Sequence, residues 1–135
     1  GELRSELEQL IKVLNISDNV TLLGIRSDIP ELMNQAHFFV LPSKFEGFGL
    51  VVAEAMACGP YVIATNSGGV AEVMGDTGIL VPPKDSEALA QALEIAIKKT
   101  HLEVKENNLK ARQRVEKLFS LEASVNKWLA LYEAK

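Results

Sequence analysis

Glycine and proline divide this chain into two parts of different character. All nine glycines and all five prolines lie at or before residue 83, and the remaining stretch to Lys135 contains neither. Because these two residues interrupt helices most strongly, the carboxyl-terminal part is free to form helix, broken only by local polarity. The amino-terminal part is expected to alternate between short elements and turns.

Short apolar runs recur in the amino-terminal part, and segments with helical periodicity separate them. The runs are NVTLLG, HFFVLP, YVIAT and GILVPP. Strands of this length without polar alternation, separated by helices, indicate a parallel sheet that is covered on both faces. The sequence therefore predicts an α/β, Rossmann-like fold with a sheet of about four strands.

Helices are predicted at both ends of the chain and between the strands. The opening helix carries apolar side chains at three- and four-residue spacing: Leu3, Leu7, Leu10, Ile11 and Leu14. The next helix has Asp28 or the preceding serine as its N-cap, and Glu31 completes a capping box. Beyond the last proline, one helix begins at Asp85 or the following serine, and two more are divided near Ser120.

Composition excludes several classes of protein. The chain of 135 residues is 47% hydrophobic and 24% charged, which predicts a single soluble domain over residues 1–135. Its net charge of −4 argues against general nucleic-acid binding. No apolar segment approaches the roughly 18 residues of a membrane span, and no leader-like segment opens the chain. The single cysteine provides too few thiolates for a typical metal site, and we expect neither a metal nor a cofactor. A cytoplasmic location is expected as well.

The segment KFEGFGLVVAEAMACG, residues 44–59, is unusual for a helix or a strand. Gly47 and Gly49 allow a ligand to approach the backbone closely, and a helix that begins near Gly49 would present free N–H groups to a phosphate. Glu46 precedes this helix, whereas Glu54 lies within it among apolar residues. A buried carboxylate needs hydrogen-bond donors, and sugar or ribose hydroxyls would serve.

The spacing of the two glutamates suits an elongated ligand. Eight residues of helix span roughly 12 Å, so Glu46 and Glu54 would hold opposite ends of one molecule, with a diphosphate at the helix start. The residues alone equally allow a structural interpretation, in which Glu46 is a solvated acid and Glu54 pairs with a neighbouring helix.

Four segments together resemble a known family: PSKFEGFGLVVAEAMACG, NSGGVAEVM, DTGILVPPKDSEALAQAL and the closing WLALY. They are similar to the donor-binding, carboxyl-terminal half of retaining glycosyltransferases of the GT-B type. The family signature is a glutamate, seven residues and a second glutamate, met here by Glu46 and Glu54. The resemblance runs from about residue 19 to the end of the chain.

The resemblance implies a role for each matching position. Glu46 would hold hydroxyls of the transferred sugar and is the candidate catalytic residue, and Glu54 would bind the ribose. The backbone amides of the intervening residues would contact the donor, those of Gly47, Phe48 and Gly49 at the sugar and those of Leu50 and Val51 at the diphosphate. The turn around Arg26 resembles the family's base-binding loop. No metal ligand is implied.

The resemblance also implies that segments of the family fold are absent. Family members begin with two strands, and an arginine and a lysine there clamp the diphosphate; these strands lie between the counterparts of NVTLLG and HFFVLP. The chain would be an incomplete GT-B carboxyl-terminal domain that either leaves a gap, borrows strands or pairs NVTLLG with HFFVLP directly. We expect direct pairing, because unpaired inner edges invite self-association. Without the acceptor-binding domain, we expect weak donor binding and no transfer.

Two other functions fit the same residues. One is part of a sugar-nucleotide epimerase of the same architecture, and the other is a non-catalytic binding or assembly module. Residues 98–117 hold seven of the 14 lysines and arginines, so peripheral membrane association of a longer protein is a further alternative to a plainly solvated helix face. The base, the sugar and the acceptor are not encoded in any motif of the chain.

Overall fold

The computed structural model of the chain describes residues 2–133, with only the backbone of Leu131. Helices and strands follow one another in this order: α1 (Arg4–Val13), α2 (Ile29–Gln35), β1 (Phe38–Leu41), α3 (Leu50–Cys58), β2 (Tyr61–Thr65), α4 (Val70–Met74), β3 (Ile79–Val81), α5 (Ser86–Lys98), α6 (His101–Phe119) and α7 (Leu121–Glu133).

The three strands form one parallel sheet in the order β1-β2-β3. Phe38 pairs with Tyr61 at the start of β1, and Ile63 pairs with Ile79 where β2 meets β3. Because the strands are parallel, their carboxyl ends lie at the same edge of the sheet, which is where ligands bind in open α/β sheets. The predicted α/β, Rossmann-like class is confirmed.

The sheet has three strands in the described part of the chain, and not the predicted number of about four. Residues 19–24, the NVTLLG segment, form no strand, and β1 pairs with β2 alone within residues 2–133. The expected direct pairing of NVTLLG with HFFVLP is therefore wrong. A strand needs a neighbouring strand for its N–H and C=O groups. In this segment the Leu22 carbonyl instead accepts a hydrogen bond from the guanidinium of Arg4, 3.4 Å away.

Side chains of the central strand β2 alternate between two apolar cores. Val62 and Ala64 face one core, which α3, α4 and α6 cover, while Tyr61 and Ile63 face the other, which α5 covers. All five residues of β2 are buried. Helices thus pack on both faces of the sheet, as the unalternating apolar run predicted.

The predicted helix boundaries hold, but one predicted capping box does not form. Asp85 caps α5 by accepting a hydrogen bond from the Ala88 N–H at 2.8 Å, and Ser120 separates α6 from α7. At α2, in contrast, Asp28 occupies the N-cap position without a side-chain capping bond, so the predicted capping box does not form. No helix within residues 2–133 combines the length and apolar character needed to cross a membrane.

Packing of α6 against the core gives a test of the fold. Ala111 is 3% exposed and belongs to the core under α3 and α4, so Ala111→Leu should overpack the interface and lower the free energy of unfolding by about 1–3 kcal/mol. The matched change Ala90→Leu, on the exposed side of α5, should alter it by less than about 0.5 kcal/mol. Urea denaturation of both variants makes the comparison, and equal stability of the two would contradict the packing.

Candidate functional site

The 43–49 loop leaves the carboxyl end of β1 and leads directly into α3. Gly49 is the N-cap residue, with a φ of 83°, a conformation that favours glycine. The Val52 N–H donates to the Gly49 carbonyl at 2.9 Å, which starts the helical hydrogen bonding. Helix geometry leaves the preceding N–H groups, those of Leu50 and Val51, without helical acceptors. The helix start expected near Gly49 is confirmed.

A second loop, the 67–69 turn before α4, holds the 43–49 loop in place. The Glu46 N–H donates to the Ser67 hydroxyl oxygen at 3.1 Å, and the same hydroxyl donates to the Lys44 carbonyl oxygen at 3.4 Å. The Gly69 N–H donates to the Gly47 carbonyl at 2.7 Å. The backbone on both sides of the Glu46 carboxylate is thus fixed by hydrogen bonds to one turn.

Gly68 is at the closest approach of the two loops. A Cβ at this residue would lie 1.7 Å from the Glu46 carbonyl oxygen and 2.6 Å from that of Gly47, and its φ is +56°. Both the contact and the backbone conformation require glycine. The space between the loops therefore accepts no side chain.

The end of β2 anchors the start of the loop. The buried hydroxyl of Thr65 donates to the Ser43 carbonyl at 2.6 Å. The Ser43 hydroxyl in turn lies 3.5 Å from Oε2 of Glu46, at the outer limit of a hydrogen bond. Glu46 is half-buried, so its carboxylate is partly enclosed and still open to a ligand.

Glu54 lies on the solvent-exposed side of α3, and the expectation that it is buried among apolar residues is wrong. Its neighbours Val52, Ala53 and Ala55 face the core instead, because a helix turns each successive side chain by about 100°. Among residues 2–133, Glu54 takes part in no ion pair. Its carboxylate is thus accessible, and no neighbouring helix is recorded as its partner.

The segment from Glu46 to Glu54 is only partly helical, so the helical rise of eight residues does not describe it. Helix α3 begins at Leu50, so only the last four steps to Glu54 are helical and they rise by roughly 6 Å. The preceding residues curve through the 43–49 loop. Phe48 in that loop packs its ring edge-to-face against Phe119, with 5.6 Å between the ring centroids, and remains 44% exposed.

Arg26 precedes α2, and its side chain is engaged locally. The guanidinium donates to both carboxylate oxygens of Asp28, and this hydrogen bonding holds the pKa of the Asp28 carboxyl below its usual value. The ion pair uses two of the five N–H donors of the guanidinium and holds the side chain beside Asp28.

The residues that position the loop were largely missed from the sequence. Ser67 and Thr65 have ordinary roles in turns and strands, and the pair Gly68 and Gly69 fits a helix start near a ligand and an isolated turn equally well. Their shared position, after the carboxyl end of the strand beside β1, is the signal that brings them to Glu46. The sequence alone does not show that these two loops contact each other.

A family model described as "Glycosyl transferases group 1" matches residues 1–99. The chain belongs to this family. Glu46 and Glu54, the 43–49 loop and the 67–69 turn all lie within the matched residues. The family resemblance and the α/β fold of the sequence analysis are confirmed together.

Curated and solved glycosyltransferases agree with this assignment. The chain is 38% identical over 127 residues to N-acetyl-alpha-D-glucosaminyl L-malate synthase of Bacillus anthracis. The matched region covers 92% of the chain and 33% of that synthase. Sucrose-phosphate synthase from Thermosynechococcus elongatus superposes with a TM-score of 0.85 at 36% identity, over 99% of the chain and 34% of the synthase.

A third relative was solved with a sugar nucleotide. Anabaena HepE in complex with UDP-glucose superposes with a TM-score of 0.81 at 30% identity, over 96% of the chain and 36% of HepE. The chain thus spans about a third of the length of these three relatives.

The contact between the two loops can be tested by adding one methyl group. Gly68→Ala should lower the free energy of unfolding by at least about 2 kcal/mol, because it combines a positive φ with a backbone clash that only a loop shift can relieve. Gly47→Ala adds the same methyl group where a Cβ meets nothing within 4 Å, so it should be nearly neutral. Chemical denaturation measures both; a Gly68→Ala protein as stable as the parent would show that the loops are not in contact.

Proposed function

We propose that this chain binds the donor of a retaining glycosyltransferase, an enzyme that moves a sugar from a nucleoside diphosphate to an acceptor hydroxyl. The observation that carries the proposal is the fixed 43–49 loop. It carries a half-buried glutamate, Glu46, and leads four residues later into the free N–H groups that open α3. A sugar diphosphate has the complementary groups, hydroxyl donors at one end and phosphate oxygens at the other.

The proposed donor lies along the loop and the start of α3. Glu46 accepts hydrogen bonds from the sugar hydroxyls, and the amides of Gly47, Phe48 and Gly49 line the sugar. The diphosphate meets the amides of Leu50 and Val51, where the positive end of the helix dipole favours negative charge. This order follows the direction of the chain from loop to helix.

Glu54 is proposed to bind the ribose hydroxyls. Its exposure supports this role, since a carboxylate that lacks a protein partner is available to a ligand. The roughly 6 Å of helix between Leu50 and Glu54 is a suitable distance from diphosphate to ribose. Arg26 lies in the proposed base-binding turn and acts through its backbone, because Asp28 holds its side chain.

The larger reaction is proposed on the same basis. Retention of the anomeric configuration, independence of a bound metal or cofactor, and a cytoplasmic location are parts of the proposal, the last supported by the single cysteine. The donor complex with UDP-glucose belongs to HepE, and it supports a nucleoside diphosphate sugar as the ligand class for this chain. An acceptor-binding domain of the longer enzyme would supply the acceptor.

Two substitutions separate the proposed roles of the carboxylates. Glu46→Ala should weaken binding of UDP-glucose by about 10- to 100-fold, through loss of charged hydrogen bonds worth about 1.5–3 kcal/mol, and leave binding of free UDP unchanged. Glu54→Ala should weaken both ligands equally, because ribose is common to them. Isothermal titration calorimetry measures the four affinities.

The matched control is Glu106→Ala, which removes an exposed carboxylate from α6. It should bind both ligands like the parent chain. GDP- and ADP-sugars are titrated in parallel, since the base is not specified. If no donor binds, or if binding is indifferent to Glu46→Ala and Glu54→Ala, the non-catalytic binding or assembly module is the better interpretation.

The isolated chain should not transfer sugar. Transfer requires an acceptor oriented against the sugar and neutralisation of the leaving diphosphate, and we propose that the acceptor domain and further cationic groups supply both. Radiolabelled donor incubated with the purified chain and a panel of alcohol acceptors should yield no glycoside above the level without protein. Product formation by the chain alone would refute this division of labour.

A further inference from the structure

A large groove lies at the opposite edge of the sheet from the 43–49 loop. This groove, of about 740 Å³, runs between the starts of β1 and β2, the end of α5 and one side of α6. Phe38 opens β1 and lines it, whereas the 43–49 loop follows the other end of that strand. Four residues of strand separate the two by about 13 Å.

One side of α6 forms the wall of the groove. The residues it contributes recur at three- and four-residue spacing, which places them in a single stripe along the helix: His101, Val104, Lys105, Asn108, Leu109 and Arg112. Basic and apolar side chains alternate within this stripe. The wall therefore offers cationic groups above an apolar surface.

The opposite wall and the rim of the groove also carry basic and apolar side chains. His37 and Lys99 line the groove from the starts of β1 and of the α5–α6 connection. Two large apolar side chains that line the groove are exposed to solvent, Ile97 by 67% and Leu109 by 57%, and Leu102, next to His101 in the first turn of α6, is exposed by 63%. Exposed apolar groups among basic residues are typical of surfaces that contact lipid.

Two of the nearby carboxylates are engaged in local hydrogen bonds or ion pairs, and hydrogen bonds from Thr100, together with the nearby charge of Lys99, lower the pKa of the Glu103 carboxyl. Glu103 accepts hydrogen bonds from the Thr100 N–H and hydroxyl, both at 2.7 Å, and Glu116 pairs with Arg112 at 2.9 Å. Glu106 is about 140° around the helix from His101, outside the stripe. Among residues 2–133, the groove lysines Lys99 and Lys105 take part in no ion pair.

The walls are held together by direct contacts. The Asn108 amide donates to the Gly59 carbonyl at 2.8 Å, which ties α6 to the turn before β2. The rings of Phe38 and Tyr61 pack edge-to-face with 6.3 Å between their centroids. The groove is consequently a feature of the packed core and does not depend on a surface loop.

We infer that this groove docks the chain on a membrane surface that carries anionic phospholipids. Lys99, Lys105 and the two histidines face the phosphate groups, and the exposed side chains of Ile97, Leu102 and Leu109 enter the interface. The chain as a whole carries a net charge of −4, so attraction to an anionic surface has to come from this local cluster. Docking by this edge leaves the 43–49 loop directed away from the lipid.

Vesicle cosedimentation of the purified chain tests the inference. The chain should bind vesicles of phosphatidylglycerol and phosphatidylcholine in equal parts, bind pure phosphatidylcholine vesicles far less, and lose binding as salt is raised. Lys99→Gln combined with Lys105→Gln should weaken binding at least about tenfold, since each lysine near an anionic surface contributes on the order of 1 kcal/mol. Ile97→Ser should weaken it as well.

The control pair removes the same charge from the other side of α6. Lys110 and Lys117 lie roughly 180° and 160° around the helix from His101. Lys110→Gln combined with Lys117→Gln should leave vesicle binding unchanged. Circular dichroism verifies that all variants are folded. The inference is overturned if anionic vesicles are not bound, if neutral vesicles bind equally, or if both lysine pairs cause the same loss. Binding of inorganic phosphate as tightly as vesicles would also overturn it, because the groove would then be a site for a free anion.

Discussion

The contact between the 43–49 loop and the 67–69 turn is the constraint on which the candidate site depends. The loop contains two glycines and begins after a strand of four residues, so its own sequence does little to restrict its shape. Hydrogen bonds from the backbone of Glu46 and to that of Gly47 supply the restriction. The backbone of Glu46 and the open end of α3 are thereby held in one arrangement before any ligand binds, which limits the ordering cost of binding.

The parallel sheet explains why this contact forms at all. Loops that follow neighbouring parallel strands must emerge at the same edge, so the segments after β1 and β2 meet although 21 residues separate Glu46 from Ser67. The same polarity sends the starts of the strands to the other edge, where α6 forms the basic and apolar groove. One architectural rule thus places two chemically different surfaces at opposite ends of the molecule.

Local sequence patterns predicted the elements well and their partners poorly. The buried run YVIAT and the glycine at position 49 each dictate a conformation through their own chemistry, and both were assigned correctly. NVTLLG has equal apolar character, yet it forms no strand, because a strand exists only beside a neighbour that the run itself does not specify. Glu54 shows the same limit: its apolar neighbours suggested burial, but the side of the helix that faces solvent depends on how α3 packs.

The most direct test of the central claim is a crystal structure of the chain with UDP-glucose bound. The account predicts electron density along the 43–49 loop and the start of α3, with a Glu46 carboxylate oxygen within about 2.6–3.2 Å of a glucose hydroxyl and Glu54 at the same distance from the ribose. Density in another part of the molecule, with the Glu46 and Glu54 carboxylates turned toward protein groups, would contradict it.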